Sequence, residues 1–167
     1  MREGALDAVT EACREIKAGG VATALVGALG PSMCEVAGRE ADGVILNWLV
    51  PEAAPELVAR VQAGARAGRR NEPEIVAYIR TACHPAAQDR LQQEATAYES
   101  YPAYSRHFAR MGVSAINTSI NGSSDAISSR FEAFSPQVDE VVARAIAQSD
   151  SLPAYLAVLS AAAPNGG

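Results

Sequence analysis

Apolar and polar positions alternate with two different periods along this chain. Residues 3–18 set Ala5, Leu6, Val9, Cys13 and Ile16 near one helical face and Glu11, Arg14, Glu15 and Lys17 near the other, and Gly19-Gly20 closes the helix. The next run, 22–29, is apolar on both faces, the pattern of a parallel strand covered on both sides. Gly30-Pro31 interrupts it, and Pro31 suits the first turn of a helix reaching about Glu40. Asp42-Gly43 turns the chain into a short apolar strand at 43–47. Residues 48–52 read as a loop. Leu57, Val58, Val61 and Ala65 then mark a helix over 52–67, ended by Gly68 and Asn71. Residues 75–82 are rich in β-branched side chains and form the third predicted strand. Helices follow at 85–99, opened by Pro85, and at 102–111, between Tyr101-Pro102 and Gly112. Residues 113–121 mix β-branched and polar residues and are read as a surface loop. A helix over 123–134 starts behind the caps Ser123, Ser124 and Asp125. The fourth strand is 138–146, and the last helix, 151–162, begins behind Ser151 and Pro153.

Four strand–helix units, with strands near 22–29, 43–47, 75–82 and 138–146, predict a parallel sheet with right-handed crossovers. Two architectures satisfy that order: an open doubly wound sheet, or part of a closed barrel. The 167 residues suit one domain. A full (β/α)8 barrel needs roughly 250 residues, so this chain supplies only half of one.

Composition narrows the partners. No apolar run is long enough to span a membrane, and the N-terminus lacks the compact apolar stretch of a signal peptide. The expectation is a soluble cytoplasmic protein with no membrane partner. The net charge is −5 with both signs interspersed, which argues against nucleic acid as a partner. The basic cluster at 66–70 suits a helix C-terminus. Cys13, Cys34 and Cys83 lack CxxC spacing and read as free thiols, with no metal site. The Asn117 and Asn121 glycosylation patterns read as polar loop.

The candidate chemistry lies at 27–33. A strand ends, Gly30 turns the chain, and Pro31 starts a helix. Helix N-termini offer unpaired N–H groups and positive dipole, so a phosphate can sit there without a lysine. Gly30 admits close approach and Ser32 adds a hydroxyl donor. Read locally, the same residues also describe a plain strand-to-helix turn.

The longer string Gly27-Ala28-Leu29-Gly30-Pro31-Ser32-Met33, then Ala37-Gly38-Arg39-Glu40-Ala41-Asp42-Gly43, then Val44-Ile45-Leu46-Asn47-Trp48, closely resembles the luciferase-like monooxygenase family. Three pieces recur in order and spacing: an "ALGP-x-M" turn, a helix ending in "AG-x-x-ADG", and an apolar strand. The "LNW" ending before Pro51-Glu52 looks most like the branch that uses coenzyme F420. The resemblance continues more loosely through Tyr78-Ile79-Arg80, through 104–112 and through 139–145. It implies the C-terminal half of a (β/α)8 barrel and an F420-dependent oxidoreductase, with FMN as the alternative cofactor. In such a protein the glycine-proline turn holds the cofactor phosphate, which maps to Gly30 and Pro31 with Leu29 and Ser32 as neighbours. Asn47 and Trp48 would lie at the barrel mouth, and Arg80 and Arg144 are substrate or cofactor-tail candidates on later strands.

Each of these has a structural alternative. Trp48 can cover the barrel rim, and Arg80 and Arg144 can pair with Glu74 or Glu140 or point at neighbouring helices. Asp42 and Gly43 read as structural, His107 as a surface residue, and His84, at the end of the third strand, as an acid–base candidate by position alone. No catalytic residue is identified. The first four strands of the family, which surround the reactive ring, have no counterpart here, so the chain looks like a truncated or separately encoded half. Its open edges imply a homodimer or pairing with a complementary half. Two functions remain open: part of an oxidoreductase, or a non-catalytic half-barrel that binds a phosphate or cofactor or serves assembly.

Overall fold

Strands and helices follow one another through residues 4–164, the part of the chain that the computed structural model describes. The order is α1 (Ala5–Ala18), β1 (Leu25–Ala28), α2 (Pro31–Glu40), β2 (Gly43–Asn47), α3 (Ala54–Ala67) and β3 (Glu74–Ala82). Two helices follow, α4 (Gln88–Glu99) and α5 (Pro102–Met111), then β4 (Ile120–Asn121), α6 (Ser124–Glu132), β5 (Glu140–Ala145) and α7 (Leu152–Ala162). Pro31 and Pro102 sit in the first turn of their helices, where the missing N–H has no partner to lose. Pro51 and Pro85 instead open single 3-10 turns, Pro51–Ala53 and Pro85–Ala87, that run into α3 and α4. The expected helix start at residue 3 lies outside the described residues.

Every strand pairing is parallel: β1 with β2, β2 with β3, and β3 with β5. The short β4 pairs only with Thr81 and Ala82. Ile146 N takes the Thr81 carbonyl and Gly122 N the next one, Ala82. Successive carbonyls point to opposite sides of a strand, so β4 extends the β2 side and β5 occupies the other. A doubly wound sheet reverses its strand order partway. The longer strands run in chain order, β1-β2-β3-β5, with the two-residue β4 beside the end of β3, so right-handed crossovers carry the helices to one face. That is the wall of half a (β/α)8 barrel.

The two faces differ as such a wall requires. Val26, Ala28, Val44, Leu46, Ile75, Ala77 and Ile79 are buried against the helices, among them Cys34 and Ala37 of α2 and Leu57 and Val61 of α3. On the opposite face Leu25, Gly27, Ile45, Asn47, Tyr78, Val142 and Arg144 are exposed or half-buried. The glycines at the α2–α3 crossing let the backbones touch: a Cβ on Gly38 would lie 1.9 Å from Val61 O, and one on Gly64 would lie 2.1 Å from Glu35 O.

Three expectations change. β1 starts at Leu25 rather than 22, because β2 begins at Gly43 opposite Leu25 and residues 21–23 are exposed with nothing to pair against. Residues 113–121 are not wholly a loop. Ser114 and Asn117 cap a 3-10 turn, Ala115–Thr118, through their own side chains, and β4 follows. Gly43 serves close approach to β3 rather than a turn, since a Cβ there would meet Glu74 O at 2.7 Å. Asp42 is structural as expected: it accepts from Ala24 N at 2.9 Å and from Arg70 Nη2 at 2.6 Å.

Candidate functional site

The β1–α2 turn faces a pocket. Gly30 is the N-cap of α2 in an extended conformation (φ −127°, ψ 167°), and no side chain caps the helix. Its carbonyl accepts from Met33 N and Cys34 N, both at 3.1 Å. Leu29, Gly30, Pro31 and Ser32 form one wall of a pocket of about 470 Å³. The other wall is a single face of α5, built from Ala103, Arg106, His107 and Arg110. Burial pushes the Cys34 thiol behind the turn up to about 12, so it stays neutral.

Side chains of α5 are tied to both neighbouring strand ends. Arg110 Nη2 donates to Leu29 O at 3.0 Å and lies 2.7 Å from His107 Nδ1. His107 Nε2 lies 2.6 Å from Trp48 O. His107 is therefore not on the surface, as the sequence suggested; it is 2% exposed. Burial holds its pKa below the ordinary histidine value, and the Arg110 cation adds to that effect, while the bond to the Trp48 carbonyl opposes it.

A second cluster occupies the C-terminal ends of β2, β3 and β5, the end of the strands where barrel sites are built. Arg80 and Arg144 are register partners on adjacent strands. Arg80 Nη1 donates to Asn47 Oδ1 at 2.8 Å and Arg80 Nε to Glu94 Oε1 at 2.6 Å. Arg144 Nη1 donates to the same Glu94 oxygen. The expected partners Glu74 and Glu140 are displaced, because both sit at the far, N-terminal ends of their strands, whereas α4 folds Glu94 over the mouth. The Arg80 guanidinium lies 3.4 Å from the centroid of the Trp48 ring, a cation–π contact. Trp48 itself is 1% exposed, adopts φ 53°, and packs on Tyr98 and Phe108 with ring centroids 4.7 and 5.7 Å away. Its indole Nε1 is buried without an acceptor among the described residues.

The candidates thus fall into two groups that meet at Trp48. Leu29, Gly30, Pro31 and Ser32 line the pocket, and Asn47, Arg80 and Arg144 gather around Glu94. His84 belongs to neither; its Nδ1 accepts from Ala86 N and caps a 3-10 turn. Sequence reasoning passed over Arg106, Arg110 and Glu94. The spacing 103, 106, 107, 110 does place one helical face together, and that was the available signal for α5. Glu94 lies on a polar helix where no local pattern sets it apart.

The luciferase-like monooxygenase family matches residues 19–151. No curated protein matches the chain. Among solved structures, an F420-dependent secondary alcohol dehydrogenase in complex with an F420–acetone adduct superposes with a TM-score of 0.58 at 14% identity, covering 84% of this chain and 48% of that one. Coenzyme F420-dependent tetrahydromethanopterin reductase from Methanopyrus kandleri gives 0.56 at 21% identity, covering 72% of this chain and 44% of that one. The chain spans somewhat under half the length of both structures. Among the described residues, no helix is long and apolar enough to cross a membrane. The match over 19–151 leads to one assignment: the chain belongs to the luciferase-like monooxygenase family.

Proposed function

We propose that the chain is the C-terminal, half-barrel part of a cytoplasmic F420-dependent oxidoreductase, with FMN as the alternative cofactor, and that the Gly30 turn holds the cofactor phosphate. The observation that carries this is the pocket at the start of α2. It joins an N-terminus uncapped by any side chain to two arginines of α5, Arg106 and Arg110, the second with its guanidinium beside Gly30. A helix N-terminus with the Arg110 cation beside it and Arg106 on the same pocket wall favour a phosphate, and Gly30 leaves its approach clear of a Cβ. When bound, such a cofactor accepts or donates a hydride on its ring. This chain's own residues would bind and orient it: the turn and α5 at the phosphate end, and Asn47, Trp48, Arg80 and Arg144 at the barrel mouth.

Fluorescence titration of the chain with F420, and separately with FMN, tests the proposal. Saturable binding of F420 is expected, and binding of neither cofactor overturns it. Gly30→Ala isolates the turn. The Gly30 backbone (φ −127°) is open to any residue, so the cost in stability stays below about 1 kcal/mol. The new Cβ would lie 3.1 Å from Arg110 Nη1 and occupy the phosphate's approach, so binding weakens about tenfold or more.

A second reading is a non-catalytic half-barrel that binds the cofactor through the same turn and α5. It predicts binding without turnover even after a complementary half is supplied, whereas the oxidoreductase reading predicts turnover on complementation.

A further inference from the structure

Arg110 has one nitrogen committed to the protein and one left over. Its Nη2 carries two hydrogens, and these meet two acceptors, Leu29 O at 3.0 Å and His107 Nδ1 at 2.7 Å. Its Nη1 makes no hydrogen bond among the described residues and lies beside Gly30, 3.1 Å from where a Cβ would stand. The guanidinium is thus pinned by one nitrogen while the other faces the pocket wall formed by the turn.

The second pin depends on the state of His107. A carbonyl only accepts, so the bond to Trp48 O, at 2.6 Å, fixes the proton on Nε2. A guanidinium only donates, so Nδ1 must be the bare acceptor. Both ring nitrogens are satisfied by one neutral tautomer, in a side chain that is 2% exposed. The same imidazole ties down the backbone of Trp48, which holds a left-handed conformation (φ 53°) that L side chains rarely adopt. Neither bond is local to the turn: His107 reaches from α5 to the end of β2, and Arg110 from α5 to the end of β1.

We infer that His107 is a positioning residue for the anion site: its neutral imidazole, anchored on the Trp48 carbonyl, orients Arg110 so that Nη1 is presented at the Gly30 turn. The inference rests on the proposed reading of that turn as a phosphate site. It adds a residue that touches no ligand in that reading and acts through Arg110.

Sulfate is a suitable probe because its charge is constant through the neutral range. Calorimetric titration of the full chain with sulfate is compared across wild type, Arg110→Met, His107→Leu, His107→Gln and the double variant Arg110→Met with His107→Leu. Arg110→Met is expected to weaken binding about tenfold, the worth of one charge-assisted hydrogen bond. His107→Leu keeps an apolar side chain in the cavity without either hydrogen bond and should weaken binding to a similar degree. His107→Gln retains a donor and an acceptor and should recover most of the loss. In the Arg110→Met background, His107→Leu should cost nothing more, the non-additivity expected of a residue that acts through another. Additive losses, or a His107→Leu variant that binds as wild type, overturn the inference. Nitrogen NMR of His107 in the wild-type chain gives a readout that needs no ligand and no variant to fold. The Nε2–H tautomer supports the inference and the Nδ1–H tautomer overturns it. Wild-type chain that binds no sulfate would overturn the phosphate reading of the turn and the positioning role with it, whereas sulfate binding by a chain that shows the Nδ1–H tautomer would overturn the positioning role alone.

Discussion

A single carboxylate oxygen, Glu94 Oε1, accepts from both Arg80 Nε and Arg144 Nη1. Burial alone would raise the pKa of Glu94, but the hydrogen bonds from Arg144 and Arg80 outweigh it and hold the carboxyl below its ordinary value. A depressed carboxylate adds stability that is complete above the unfolded-state pKa, about 4.3, and is lost as pH falls through the lower folded-state pKa. Glu94→Gln keeps the shape and removes the charge, leaving Arg80, itself 4% exposed, without a counter-ion. The variant should be about 2 kcal/mol less stable at pH 7, below the range for a fully buried pair because Glu94 is 19% exposed. Its stability should also fall less steeply than wild type between about pH 4 and 2. Chemical denaturation across that range checks both. The readout is built in, since Trp48 is the one tryptophan and lies under the Arg80 guanidinium. An acid limb as steep in Glu94→Gln as in wild type would sink the assignment.

At the scale of elements, the helix crossing between α2 and α3 is set by two glycines whose missing Cβ atoms would strike backbone rather than flexible side chain. Gly38→Ala or Gly64→Ala must therefore part the helices, and each should cost about 2–3 kcal/mol in a urea melt despite alanine's better helix propensity. A stabilised variant at either position would contradict the close crossing. These glycines also show where sequence reading stops. β2, β3 and the helix starts were legible because period and proline position are local signals, as Pro31 and Pro102 illustrate. The length of β1 was not, because residues 21–24 carry strand-like side chains but β2 begins too late to pair with them. Likewise the Gly30 strand-to-helix turn was readable from its own residues, whereas Arg110, His107 and Glu94 make their contacts with strand ends 81, 59 and 14 or 50 residues away in the chain. Only tertiary packing brings such groups together, and no spacing rule within a helix anticipates their partners.

The whole molecule is a barrel wall with two open sides, and its exposed apolar residues mark both. Ile16, Val21 and Leu25 lie on the side of α1 and β1. Leu152, Tyr155, Leu156 and Leu159 form one face of α7 at the other end, while Ala154 and Val158 of that helix point inward. A face repeating at three and four residues is the stripe of a helix that packs against something. β1 presents Leu25–Ala28 as an edge without a lysine or proline to block pairing, the kind of edge that recruits another strand. A further set of four strand–helix units would cover the stripe and the edge together, matching the coverage of under half of the solved relatives. Replacing Leu156 and Leu159 by glutamate separates this expectation from a simple folding defect. Both side chains are about half exposed, at 50% and 51%, so the folded half should lose less than about 1 kcal/mol. Association should suffer far more, because a charge buried in an apolar contact has no partner. Sedimentation velocity over a range of concentrations is expected to show wild-type chain self-associating, or binding a co-expressed complementary half, and the double variant remaining monomeric. A wild-type chain that stays a folded monomer at every concentration, and ignores the complementary half, would mean that the α7 stripe is not a contact surface.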